Sequence, residues 1–144
     1  WKNKCLQTPE MGSKPFGLCV WNNPLTVYVC EGPWDTIVLY ESLDAEGMAE
    51  ESTVIGVPGT NTFREEWAEM FSGLNVKICF DNDHPEENGR VGSVEGIKRM
   101  ASIMDSIDIP PAKIEYIKWG EEGYSMELDN GFDVSDLLTN REML

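Results

Sequence analysis

Short apolar runs rich in β-branched and aromatic residues alternate along this chain with longer stretches whose apolar residues recur every three or four positions. Residues 26–30 (TVYVC) form the first strand-like run. Pro33 opens a helix behind it, at a position where the missing N–H costs little, and Ile37, Val38, Leu39 and Leu43 supply an apolar face. Residues 52–57 (STVIGV) read as a second strand, closed by the turn Pro58-Gly59. Thr60 or Asn61 is then expected to cap a helix carrying Phe63, Trp67, Met70 and Phe71. Residues 76–80 give a third strand, and the polar run DNDHPEENGR (81–90) gives a loop. A helix over 93–106 follows, with Val94, Ile97, Met100, Ala101 and Met104 on one face. Residues 113–119 are predicted as a fourth strand, and a Gly-bearing polar stretch leads to FDVSDLL at 132–138.

Strand and helix alternate throughout, which predicts an α/β, Rossmann-like domain with about four mainly parallel strands and helices on both faces. The first 25 residues are punctuated by Pro9, Gly12, Pro15, Gly17 and Pro24. They read as an irregular lead-in with a short strand near 16–21, ahead of a domain spanning 26–144. At 144 residues the chain is long enough for one domain with its own core. No apolar run approaches the roughly 18 residues of a membrane span, so no membrane association is expected. The chain opens on Trp1 without a basic-then-apolar leader, so a fragment of a longer protein is expected.

Composition changes that picture in two ways. Cys5, Cys19, Cys30 and Cys79 show no C-x-x-C pair or zinc-like spacing. Cys30 and Cys79 lie inside apolar runs and read as small core residues, in keeping with a reducing cytoplasm. The net charge of −15 is the second. Nucleic-acid binding depends on Lys and Arg neutralising phosphates, so any such role needs basic surface from elsewhere or a bridging metal.

Familiar phosphate-binding loops are absent: there is no G-x-x-x-x-G-K-[ST], and no G-x-G-x-x-G after the first strand. His84 is the only histidine and lies in a polar loop, which argues against a Ser/His/Asp triad. What remains is acidic. Glu31 and Asp35 follow the first strand; Asp81 and Asp83 follow the third. Residues beyond the carboxyl ends of parallel strands line the crevice where ligands bind. Asp35 is one helical turn from Glu31, and Asp81 and Asp83 face one way if the chain stays extended. Such carboxylates suit a hard cation, Mg²⁺ or Mn²⁺.

The Glu31-Gly32 pair, Asp35 and Asp81-Asn82-Asp83 in this order resemble the signature of the TOPRIM domain, found in primases, topoisomerases, OLD-type nucleases and RecR-like proteins. The resemblance covers about residues 16–138. PFGL at 15–18, GVPGTN at 56–61, GSVEGIKRMA at 92–101 and FDVSDLL at 132–138 lean toward primases of the DnaG and phage types. It implies a TOPRIM fold and metal-dependent nucleotidyl transfer for primer synthesis, with Glu31, Asp81 and Asp83 as catalytic residues. Glu31 is also implied as a general acid or base. The implied metal set is Glu31, Asp35, Asp81, Asp83 and Asp133, with Asp136 the alternative to Asp133. The implied partners are nucleoside triphosphates, a single-stranded DNA template held by a basic subdomain outside this chain, and a replicative helicase. On that reading the chain alone is inactive.

The chain departs from the pattern where HPEEN (84–88) separates Asp83 from the next glycine, Gly89. An OLD-like nuclease and a non-catalytic RecR-like or receiver-like binding module are the alternatives. Receivers require an adjacent acidic pair after the first strand, which Glu31-Gly32 does not supply. Arg90, Lys98 and Arg99 could meet phosphates, although Lys98 and Arg99 also suit the solvated side of a helix. Trp67 belongs to the core by its spacing.

Overall fold

A computed structural model describes residues 14–140. Its centre is one sheet of four parallel strands: β1 (Thr26–Glu31), β2 (Ser52–Val57), β3 (Asn75–Cys79) and β4 (Lys113–Tyr116), in the order β2-β1-β3-β4. The register aligns Glu31 with Val57 on one side, and Cys30 with Cys79 on the other. The carboxyl ends of the two central strands therefore lie side by side. Among the described residues, three α-helices accompany the sheet: α1 (Pro33–Ala45), α2 (Gly92–Asp105) and α3 (Val134–Thr139).

Two cores follow from the period-two alternation of the strands. Val27, Val29, Ile55, Val57, Val76 and Ile78 face a layer built from Phe63, Trp67, Phe71 and the α2 residues Ile97, Met100 and Met104. Cys30 and Val54 face the other way, onto Leu39 and Leu43 of α1 and Val134 of α3. All six β2 residues are buried even though β2 is an edge strand. The lead-in covers that edge: Phe16 pairs with Gly56 in an antiparallel bridge.

The described part of the lead-in differs from expectation. In place of a strand near 16–21 there is that single bridge and a 3-10 turn, Leu18–Val20. Residues 1–13, with Cys5, Lys2 and Lys4, lie outside the described residues. The helix expected from Thr60 or Asn61 starts later and is a 3-10 helix, Glu65–Phe71. Thr62 closes a local turn with Gly59 instead (Oγ1 to carbonyl, 2.7 Å). Thr60 packs so tightly on α2 that a Cβ at Gly96 would lie 2.6 Å from its carbonyl oxygen. The predicted fourth strand also stops early, at Tyr116, because Trp119 is drawn back to donate its indole N–H to the Phe80 carbonyl (2.8 Å). Among the described residues no helix is long and apolar enough to cross a membrane.

Candidate metal centre

The turn out of β1 is made possible by two glycines. Gly32 takes φ +87°, a region that L side chains rarely adopt. Gly56 on β2 packs under it: a Cβ there would lie 2.5 Å from both the Gly32 carbonyl oxygen and Thr36 Oγ1. Thr36 in turn donates to the Gly32 carbonyl at 2.8 Å. This close packing starts α1 directly at Pro33, with Asp35 in its first turn and only 5% exposed.

Asp81 and Asp83 are set by the residue between them. Asn82 is fully buried, and its amide donates to the Ser125 and Asp129 carbonyls (2.9 and 3.0 Å) while its oxygen accepts from Ser125 N–H (2.7 Å). Its backbone bridges Phe132. Asn82 therefore points into the 125–132 loop, and its two half-buried neighbours project away from that loop. Asp83 Oδ2 accepts from Ser93 N–H at 2.7 Å, capping α2 from ten residues upstream. The HPEEN departure is absorbed between these two points. Glu86 and Arg90 close a turn, while His84 is tied to Asn130 and Leu128.

Asn82→Ala is expected to cost about 2–3 kcal/mol, because it strands several buried backbone groups at once. Urea unfolding measures the loss, and amide exchange should accelerate at Ser125 and Gly131.

The third element arrives through α3. Asp133 caps this helix, accepting from Asp136 N–H and Ser135 Oγ, both at 2.7 Å. Ser135 N–H donates to Asp35 Oδ1 at 3.2 Å, so the start of α3 is fastened to the start of α1. Asp136 is exposed and turns its carboxylate back to the Asp133 N–H. Of the two candidates, Asp133 is the one whose charge acts on the other carboxylates.

Electrostatics show how crowded the mouth is. Burial, then Asp83 and Asp35, pushes Glu31 up to about 7. Burial, then Glu31, Asp35, Asp133 and Asp83, pushes Asp81 up to about 8. Asp35 is also raised, by burial first and Asp133 second, against the opposing Ser135 hydrogen bonds. Glu31, Asp35 and Asp81 are thus raised by the surrounding carboxylates, and among the described residues no Lys or Arg is a cause of their shifts. Glu31 Oε2 is buried with no hydrogen-bond partner. An unpaired buried carboxylate oxygen is costly unless it is protonated or meets a cation.

Among the described residues, no three His, Cys, Asp or Glu side chains stand as a ready-made ligand set. The carboxylates share one mouth without converging at ligand distance. Their chemistry nevertheless fits a hard cation: all the donors are oxygens, and one of them lacks any partner. A concavity of about 620 Å³ lies elsewhere, between α2 and β4, and is lined by none of the five. The charge and burial of the carboxylates bear directly on chemistry, whereas that groove mixes apolar side chains with Lys98, Lys113 and Glu121.

Arg99 is not free to reach the mouth from the far side of α2; its guanidinium donates to the Phe63 carbonyl at 2.8 Å. Arg90 pairs with Glu95. Trp67 lies in the core as expected, whereas Trp34, on the first turn of α1, is 68% exposed. Sequence reasoning missed Asn82, Ser93 and Ser135 as the groups that hold the acids. Only Ser135, inside an Asp-x-Ser-Asp capping pattern, left a readable signal. No protein-family model matches the chain, and no curated protein or solved structure matches it. What fold and site define is therefore a class: a parallel α/β domain with an acidic mouth at the ends of its central strands.

Proposed function

We propose that this chain is the metal-holding catalytic domain of a primase-type nucleotidyltransferase, a TOPRIM domain acting in a cytoplasmic replication protein. The observation that carries the reading is the cluster itself. Glu31, Asp35, Asp81, Asp83 and Asp133 are gathered from three chain segments; their mutual charge and burial raise the proton affinity of Glu31, Asp35 and Asp81 and leave Glu31 Oε2 without a partner. The order of Glu-Gly before Asp-x-Asp, on adjacent central strands, supports it.

Glu31, Asp81 and Asp83 would hold Mg²⁺ or Mn²⁺, with Asp35 and Asp133 behind them. When bound, such ions neutralise charge on the attacking and leaving oxygens of a phosphoryl transfer. Glu31, held near 7, is suited to keep or give up a proton at Oε2 near neutral pH. Ser93 N–H and Ser135 N–H hold Asp83 and Asp35 at the mouth, so a ligand has only to draw these carboxylates inward from fixed anchor points. The substrates on this reading are nucleoside triphosphates. With a net charge of −15, the template strand needs a basic subdomain supplied elsewhere, and a replicative helicase is the natural partner.

The test is primer synthesis by the full-length parent protein. Asp81→Asn and Asp83→Asn should each lower primer yield by about 100-fold or more. Equal yield from the variants would sink the assignment. Metal-dependent DNA cleavage without primer synthesis would replace it with a nuclease.

A further inference from the structure

We propose that Cys30 and Cys79 are a redox pair that closes into a reversible disulfide across the two central strands. They are direct register partners on β1 and β3. Both side chains face the α1/α3 side of the sheet, where Cys79 packs against the cluster that contains Cys30. Both are free thiols. Neighbouring strands run about 4.8 Å apart, inside the range of about 4.4–6.8 Å of Cα separations that a disulfide bridges. Cys30 is fully buried and Cys79 only partly, so an oxidant meets Cys79 first.

The oxidant is a hydroperoxide. The Cys79 sulfur attacks the peroxide, the O–O bond breaks, and Cys79 sulfenic acid and one water form. The Cys30 sulfur then displaces the sulfenic oxygen, the S–O bond breaks, and a second water leaves with the thiol protons. Two thiols lose two electrons and one peroxide gains them. A dithiol reverses the step by exchange. Cytosolic disulfides are typically of this transient, redox-sensing kind. The bond would clamp β1 and β3 one residue before Glu31 and two before Asp81. Its formation stands apart from the proposed function; only its effect on metal binding rests on that reading.

The experiment treats the native chain with hydrogen peroxide, traps free thiols by alkylation and maps peptides by mass. The expected product is a Cys30–Cys79 cross-linked peptide, about 2 Da lighter than the reduced pair. It should revert with dithiothreitol and be absent in Cys79→Ala. Oxidation that stops at Cys79 with Cys30 still alkylatable overturns the proposal, as does a disulfide that runs only to Cys19 or Cys5. Mn²⁺ affinity of the oxidised chain should then differ from that of the reduced chain by about threefold or more. A disulfide that forms without moving Mn²⁺ affinity overturns the coupling. Mn²⁺ bound by neither form, with the disulfide present, upholds the redox pair and removes the metal reading.

Discussion

Asp81→Asn is expected to make the metal-free chain more stable at pH 8 and above, with a gain that shrinks toward zero near pH 4. The sign follows from linkage. Burial and Glu31 hold Asp81 up to about 8 in the folded chain, whereas an unfolded Asp titrates near 3.9. Between those values the folded state binds more protons than the unfolded one, so stability falls as pH rises and levels off beyond about 8. Asparagine carries no charge and escapes this loss. Below pH 4 the carboxyl is neutral in both states, and the two chains should unfold alike. Solvent reaches this half-buried group and screens it, so the gain is about 1–2 kcal/mol, well below what the shift alone would give. That corresponds to several degrees in melting temperature for a domain of this size. A loss of stability at pH 8 would mean that the Asp81 carboxylate is paired and not crowded. A site that destabilises its own fold has been kept for something other than stability.

The second large effect is on metal affinity. Ligands must give up their protons to bind, so Mn²⁺ should bind weakly at pH 6, where Glu31 and Asp81 are largely protonated. Affinity should climb by about 100-fold between pH 6 and 8 and flatten above about 8.5. Calorimetry in buffers of different ionisation enthalpy should show protons released on binding, fewer as pH rises. Weak adsorption to an acidic surface behaves differently: ordinary exposed carboxylates are already ionised at pH 6, so affinity would be flat and no protons would leave.

Particular residues show what sequence could and could not reveal. The bounds of β2 matched its predicted run because STVIGV is buried throughout and its pattern has no competitor. Glu31-Gly32 and Asp35 were legible because a strand end, a glycine and a helix-opening proline fall in one short window. Distant packing was not legible. The contact of Thr60 with Gly96 delays the helix expected at 60, and the bond from Trp119 to Phe80 cuts the fourth strand short. In the sequence Asn82 is simply the middle residue of Asp-x-Asp. It is a buried anchor for a loop more than forty residues ahead, and no local pattern encodes such a partner. Asp133 and Asp136 occupy the two corners of one capping box, and of the two only Asp133 acts on Asp35 and Asp81, a distinction no local spacing encodes.

The central claim is that a divalent cation is held at the ends of β1 and β3 and nowhere else on this acidic chain. Paramagnetic broadening of amide resonances by substoichiometric Mn²⁺ tests it most directly. The expected result is broadening confined to the neighbourhood of Glu31, Asp35, Asp81, Asp83 and Asp133, abolished by Asp81→Asn and outcompeted by Mg²⁺. Broadening spread over the acidic stretch from Asp44 to Glu51, or none at millimolar Mn²⁺, would contradict it.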